Sequence, residues 1–392
     1  MLPLTLPQLT EAFLAQVCEE QWPETQTLEF KAILPLNGED ARQEFRKDVC
    51  ALANADGGDL VFGISEKGGR ANAILAINGV DADATKRRLQ QILESKVEPR
   101  IHGIQFHACP IAAGGFVLVL RIPSSYEGPH RFGPIAEHRF PIRNDTSTID
   151  MTYDQLRNTF GRESTLLEKA AQFRARRVSR IVSGQTPRKL AAGVIMAVHI
   201  VPMCGLAGRA NVDVAGIAAS FDVLRIDPSS SWKRNANLDG VVMYPYEDPN
   251  GEDCYSQIFR DGCFEIVKNV KYDPQPGTGP AWVIGEWIGE QVRGGLKTYL
   301  AAAPAMEIQG PIFVSLSLVG TAGTVLSLNS RNATGRPIIE DQLDIPEVLI
   351  EDASDAFDLD KISRPIMDVL YQCYGRNNCH FYDANGKWSP PR

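Results

Sequence analysis

A chain of 392 residues, 44% hydrophobic and 22% charged, folds as a globular protein and outgrows one ordinary core, so two domains are expected. Its formal charge of −8 excludes a generally basic nucleic-acid coat; a polyanion would have to be held locally. No uninterrupted apolar run is long enough to cross a bilayer. MLPLTLPQLTEAF also lacks the basic region of a signal peptide, so a cytoplasmic location without a membrane partner is expected.

Residues 7–20 read as a first helix, with Leu9, Phe13, Leu14 and Val17 on one side. A strand follows around 27–33, broken by LNGED. If it is a strand, Glu29 and Lys31 share one face while Leu28 and Phe30 enter the core. EDARQEFRKDVCALANADGG places Ala41, Phe45, Val49, Leu52 and Ala53 at helical spacing, and Gly57 and Gly58 end that helix. DLVFGIS, 59–65, reads as a buried strand, with EKGGR as its turn. A helix over 83–97 stops before Pro99. Strands are expected in IHGIQFHA, GGFVLVLRIP and EHRFPIRND, the last placing Arg139 and Arg143 on one face. TYDQLRNTF has the capping-box pattern of Thr152 and Gln155.

This first mixed domain ends near residue 161. Residues 162–190 then carry eight basic and two acidic side chains. The amphipathic stretch 162–184 places Leu166, Ala170, Phe173, Val178 and Ile181 on one side and crowds Arg174, Arg176, Arg177 and Arg180 into its second half. Those arginines read either as a solvated face, with cations favoured near a helix C-terminus, or as a nucleic-acid-tracking helix. A second α+β domain is expected over 191–375, with strands in GVIMAVHIVP, GVVMYPYE, YSQIFRDGCFEIV and PIFVSLSLVG. Helices are expected near 281–303 and 360–375, followed by a polar tail over 376–392 that frays. His199 and Asp213 read as isolated structural residues.

None of the eight cysteines forms a CxxC pair, so buried thiols are expected. Cys373, Cys379 and His380 come nearest to a zinc cluster but lack an evident fourth ligand. Gly57 and Gly58 follow a helix instead of opening one, the wrong order for a phosphate-binding loop. Glu24, Glu29 and Glu66 would converge, with Lys31 beside them, if strand 59–65 pairs with the strand holding Glu29. Such hard oxygen ligands suit Mg²⁺ or Mn²⁺ and phosphoryl chemistry. Plain exposed charges are the competing reading.

ETQTLEFK, then DVCALANADGGDLVFGISEKGG and HRFPIRNDTSTIDMTYDQL, resemble in order and spacing the motifs of the Schlafen-type divergent Alba domain. The resemblance spans roughly residues 20–160. Vertebrate Schlafen proteins are divalent-metal-dependent endoribonucleases that cut tRNA and rRNA. The resemblance therefore implies Glu24, Glu29 and Glu66 as metal ligands and catalytic residues, with Lys31 orienting the nucleophile. Arg139, Arg143, Arg174, Arg176, Arg177 and Arg180 would contact phosphates. Thr25 replaces the family Ser, and Ser65-Glu66 replaces Asp-Asp. Asn54, Gly57 and Gly58 read as capping and packing residues. Prokaryotic members have also been described as DNA-binding or ATP-binding, so a non-catalytic DNA-binding regulator is the alternative. One motif copy, where vertebrate members carry two lobes, implies a homodimer. A stand-alone nuclease of this kind would suit phage defence by tRNA cleavage.

Overall fold

The computed structural model describes residues 1–4, 6–133, 139–208, 210, 212–219, 232–245, 253–274, 279–306, 308, 311–329, 332–333, 336–350 and 358–390. The chain divides into two compact units, Met1–Thr165 and Leu166–Arg392.

In the first unit the elements run α1 (Glu11–Glu19), β1 (Leu28–Lys31), α2 (Glu39–Asn54), β2 (Gly58–Phe62), β3 (Ile64–Glu66), β4 (Ala71–Ile74) and α3 (Ala82–Glu94). They continue with β5 (Val97–Glu98), β6 (Gln105–Pro110), β7 (Phe116–Ile122), β8 (Arg131–Phe132), β9 (Pro141–Asn144), β10 (Ser147–Asp150) and α4 (Tyr153–Phe160). The main sheet has the order β1-β2-β7-β6, with β1 parallel to β2 and the other pairs antiparallel. Its strands are apolar on both faces. Leu60, Phe62, Leu118 and Leu120 pack with Phe45, Val49 and Leu52 of α2 and Leu89 of α3. Leu28, Phe30, Val61, Val117 and Val119 pack with Leu14 and Val17 of α1. A cross-strand ion pair lies inside the sheet: Asp59 and Arg121 face one another in register, 2.8 Å apart.

The strand expected over 59–65 divides at Gly63, whose φ of +93° is open to glycine. β3 leaves the main sheet there and pairs with β4 in a separate ribbon. Gly57 and Gly58 are required by close approach: a Cβ on either would stand 2.6 Å from a backbone oxygen, of Ile122 and Thr27 respectively. Asn54 does more than end α2. Its Nδ2 donates to the carbonyls of His130 and Pro141, and its Oδ1 accepts from His130 N at 2.7 Å, so α2 fixes the start of β9. β9 forms a hairpin with β10, a strand for which the sequence reading had no counterpart. Residues 137–138 of EHRFPIRND lie outside the described residues. The capping box of Thr152 and Gln155 is present.

α5 (Arg162–Val182) carries the chain into the second unit. There, a seven-stranded antiparallel sheet has the order Trp232–Ala236, Gly240–Pro245, Cys254–Phe259, Phe264–Asn269, Ile195–Pro202, Ile312–Val319, Gln342–Ile350. The stretch expected as YSQIFRDGCFEIV is two of these strands joined at a turn. The edge strand Gln342–Ile350 escaped the sequence reading. It carries Pro346, tolerable only at an edge, and alternates buried with exposed residues only in part. The expected helix near 281–303 begins at Gly285. Its glycines admit close neighbours: a Cβ on Gly295 would meet Ile266, and one on Gly289 would meet Trp388. The tail does not fray over its described length. Cys379, Phe381 and Tyr382 are buried, and Tyr382 Oη donates to Ser363 Oγ at 2.8 Å.

Candidate nucleic-acid site in the first unit

β1 forms an edge of its sheet, and its register with β2 sets Glu29 opposite Leu60 and Lys31 opposite Phe62. The strand period sends Leu28 and Phe30 into the core beside α1. Glu29 and Lys31 face the α2 side. Lys31 Nζ is 2.7 Å from Glu29 Oε1 and 3.0 Å from Asp48 Oδ2, and Asp48 stands on α2. The second oxygen of Glu29 accepts from Arg143 Nη1 of β9 at 2.8 Å. Asn54 fixes the backbone of β9 two residues before Arg143, so this contact is built on rigid elements.

Glu24 and Glu66 are joined through Gly69. Glu24 N donates to Gly69 O, and Gly69 N donates to Glu66 Oε1, both at 2.8 Å. Glu24 then folds over the edge of the sheet, where its Oε1 accepts from Phe30 N at 2.9 Å. Burial raises the Glu24 pKa, and the negative charges of Glu29 and Glu66 raise it further, against the Phe30 N–H and Arg143.

Asp48 is the member of this site that sequence reasoning missed. Burial and the negative charge of Glu29 push its carboxyl up to about 7, against the pull of Lys31. Burial disfavours the Lys31 charge, but Asp48 and Glu29 outweigh it and hold the ammonium above its ordinary value. A signal for Asp48 was present: with Phe45, Val49 and Leu52 it lies on the apolar stripe of α2, where an unpaired acid would be costly.

The arginines expected to contact phosphates divide sharply. Arg139 is exposed and lies outside β9, in an isolated bridge with Phe132, so it does not share a strand face with Arg143. Arg143 is buried on Glu29. Of Arg174, Arg176, Arg177 and Arg180 on α5, Arg176 alone is exposed. Arg174 Nη1 donates to Ile345 O and pairs with Glu347, each at 3.0 Å, and Arg180 pairs with Asp239 at 3.4 Å. Arg177 is not a surface cation: it is 2% exposed and grips Glu265 with two hydrogen bonds of 2.8 and 2.7 Å. This half of α5 packs on the sheet of the second unit, which corrects the picture of a free basic face. His199 is not isolated either. Its Nε2 is 3.0 Å from Glu265 Oε2, while Tyr255 Oη donates to Glu265 Oε1 at 2.9 Å. Asp213 accepts from the backbone of Ala215 and Gly216 and caps a short helix.

Three hard carboxylates suit a divalent ion by chemistry. Their arrangement does not. Both Glu29 oxygens are engaged by cations, one oxygen each of Glu24 and Glu66 accepts a backbone N–H, and among the described residues no group of three acidic, His or Cys side chains is placed to hold a metal. The same holds at Cys373, Cys379 and His380. Among the described residues, no helix is long and apolar enough to cross a membrane.

A mixed sheet with helices on both faces and a carboxylate-rich edge defines the first unit as a small α+β domain. Within that unit, residues 24–152 match the family model described as Schlafen, AlbA_2, so the first unit carries a Schlafen-like divergent Alba domain. No curated protein matches the chain. Among solved structures, it is similar to the DIP2311 protein from Corynebacterium diphtheriae, with 20% identity over 39% of this chain and a TM-score of 0.29. The match spans only 27% of that protein's length. It is also similar to the N-terminal domain of a RecG-related protein from Nitrosomonas europaea, with 16% identity, a TM-score of 0.28, and coverage of 37% of this chain and 94% of that one.

Proposed function

We propose that the first unit is an endoribonuclease acting on structured RNA, with tRNA as the substrate class, from the edge formed by Glu24, Glu29 and Glu66. The supporting observation is the convergence of Glu24 and Glu29 with Glu66, from a later strand, beside two cations. Lys31, with about a third of its side chain exposed, is the cation within reach of a phosphoryl oxygen. Arg143, almost fully buried, positions Glu29. Dependence on Mg²⁺ or Mn²⁺ comes from the family resemblance alone and would require Glu29 to give up Lys31 or Arg143, so the EDTA arm below tests it separately. A homodimer would supply the second lobe, and light scattering at micromolar concentration should then give twice the 43.1 kDa chain mass. Abortive tRNA cleavage during phage infection is the proposed setting. Expression of the protein should reduce phage plating, and Glu29→Gln should abolish the reduction.

Purified protein incubated with total tRNA and Mn²⁺ or Mg²⁺ should yield discrete fragments on a denaturing gel. Glu29→Gln should cut at least about a hundredfold more slowly, the scale of losing one acid–base or electrostatic group, and EDTA should prevent cleavage. Intact tRNA in every lane sinks the nuclease. A retained gel shift in that case supports a non-catalytic binder of RNA or DNA, a reading favoured by the closed Lys31–Glu29–Arg143 contacts.

A further inference from the structure

We infer that α4 carries a base-stacking platform, formed by Tyr153, Arg157 and Phe160, for unpaired nucleotides of an RNA held beside the carboxylate edge. The inference deepens the RNA reading above and rests on it. The three side chains stand at i, i+4 and i+7 of α4, so they form one stripe along the helix. All three are exposed, Tyr153 at 78% and Phe160 at 63%, while Thr159, on another side of the helix, is buried. Asp154, the acid of the first turn, stands about 100° around the helix from Tyr153. The stripe therefore reads aromatic, cation, aromatic.

Its place in the fold ties it to the site. Phe160 packs edge to face on the half-buried Phe140, with ring centroids 6.1 Å apart, and Met151 N donates to Phe140 O at 2.8 Å. Exposed Arg139 precedes Phe140. Three residues after Phe140, Arg143 holds Glu29. At the rise of a strand, Phe140 and Arg143 are about 10 Å apart. A purely apolar partner would meet a stripe split by Arg157. Nucleotides offer what both residue types take: a π-face for each ring and a phosphate or a base face for the guanidinium. Bases inside a duplex keep their faces in the stack. The occupant is therefore an unpaired stretch, a loop or an end of structured RNA.

The test is a fluorescence titration of the full chain, in EDTA, with an oligouridylate of about twelve nucleotides. The probe carries one 2-aminopurine, whose emission falls when its base stacks. Wild type should bind the probe and quench it. Tyr153→Ala and Phe160→Leu should each weaken binding about tenfold and relieve the quenching, whereas Phe160→Trp should retain both. Phe160→Leu keeps an apolar side chain on Phe140 but removes the ring face, so a merely structural role would leave binding unchanged. Tyr153 is so exposed that its replacement should not disturb folding. Wild-type affinity and quenching in both Tyr153→Ala and Phe160→Leu overturn the inference, as does a wild type that does not bind the probe. If Tyr153→Ala instead turns a dimer into a monomer in light scattering and leaves probe binding unchanged, the stripe joins two copies of the chain and the inference is overturned. The two readings fail separately. Intact tRNA with a quenched probe removes the nuclease and keeps the platform, whereas cleaved tRNA with an unquenched probe removes the platform and keeps the nuclease.

Discussion

Each unit buries an ion cluster, and the two are built on opposite logic. In the second unit one carboxylate, Glu265, receives the donors Arg177 and Tyr255 and the His199 ring, all within 3.0 Å and all buried. Burial works against its charge, but Arg177 and His199 prevail and hold its pKa down at about 2. Phe173 and Phe259 close over the cluster, edge to face. In the first unit Glu29 and Asp48 share Lys31, Arg143 pairs with Glu29, and the more deeply buried acid, Asp48, is pushed up to about 7. A saturated acid is a structural fixture, whereas two acids that divide one partly exposed cation are each incompletely neutralised.

The largest expected consequence of that difference is in stability. Arg177→Met leaves the Glu265 charge without its main partner and should destabilise the second unit by ~3–5 kcal/mol. Chemical denaturation followed by Trp fluorescence would measure it. A loss below about 1 kcal/mol would mean that His199 and Tyr255 suffice, and the cluster would not be the fixture described.

A smaller effect separates the clusters by pH. The Asp48 pKa is raised in the fold, from its ordinary 3.8 to about 7, so the folded protein binds its proton more tightly than the unfolded chain. The stability this contributes is complete below pH 4 and is lost as pH rises through about 7. His130 acts in the opposite sense over part of this window: burial lowers its pKa to about 4, so its contribution is lost as pH falls. The comparison must therefore be wild type against Asp48→Asn. Wild type should lose stability relative to the variant between pH 5 and pH 8, measured as the difference in thermal midpoint. A constant difference would mean that Asp48 is ionised throughout and that Lys31 holds it as firmly as Arg177 holds Glu265.

The sequence exposed these clusters unequally, for physical reasons. The strand period set Glu29 and Lys31 on one face, whereas grouping Glu24 and Glu66 with them rested on a presumed strand pairing and on the family resemblance. Asp48 and Arg143 were harder because their roles depend on contacts 17 and 114 positions from Lys31 and Glu29, respectively. Arg177 was misread for the same reason. An arginine run on an amphipathic helix looks solvated until a buried acid 88 residues later claims one member. The main-sheet strands and helices followed from hydrophobic period. Strand β3, strand β10 and the edge strand at Gln342–Ile350 were not recovered, because a glycine bend, a short hairpin and an internal proline each break that period.

The smallest expected effect concerns the arginines left outside both clusters. Arg139 and Arg176 are exposed, whereas Arg143 and Arg177 are buried in ion pairs. If nucleic acid is held through phosphates, each exposed arginine that contacts one releases about one counterion, so its replacement by Ala should lower the slope of log affinity against log salt by ~1. Either substitution should leave stability within about 0.5 kcal/mol of wild type. Tested separately against tRNA, the pair also distinguishes the two units. A changed slope for Arg139→Ala alone would assign phosphate contact to the first unit. A change for Arg176→Ala alone would return α5 to the role its composition suggested, carried by the exposed member of Arg174, Arg176, Arg177 and Arg180. If neither slope moves, phosphate binding must come from cations elsewhere on the surface, and the carboxylate edge would meet RNA without help from these residues.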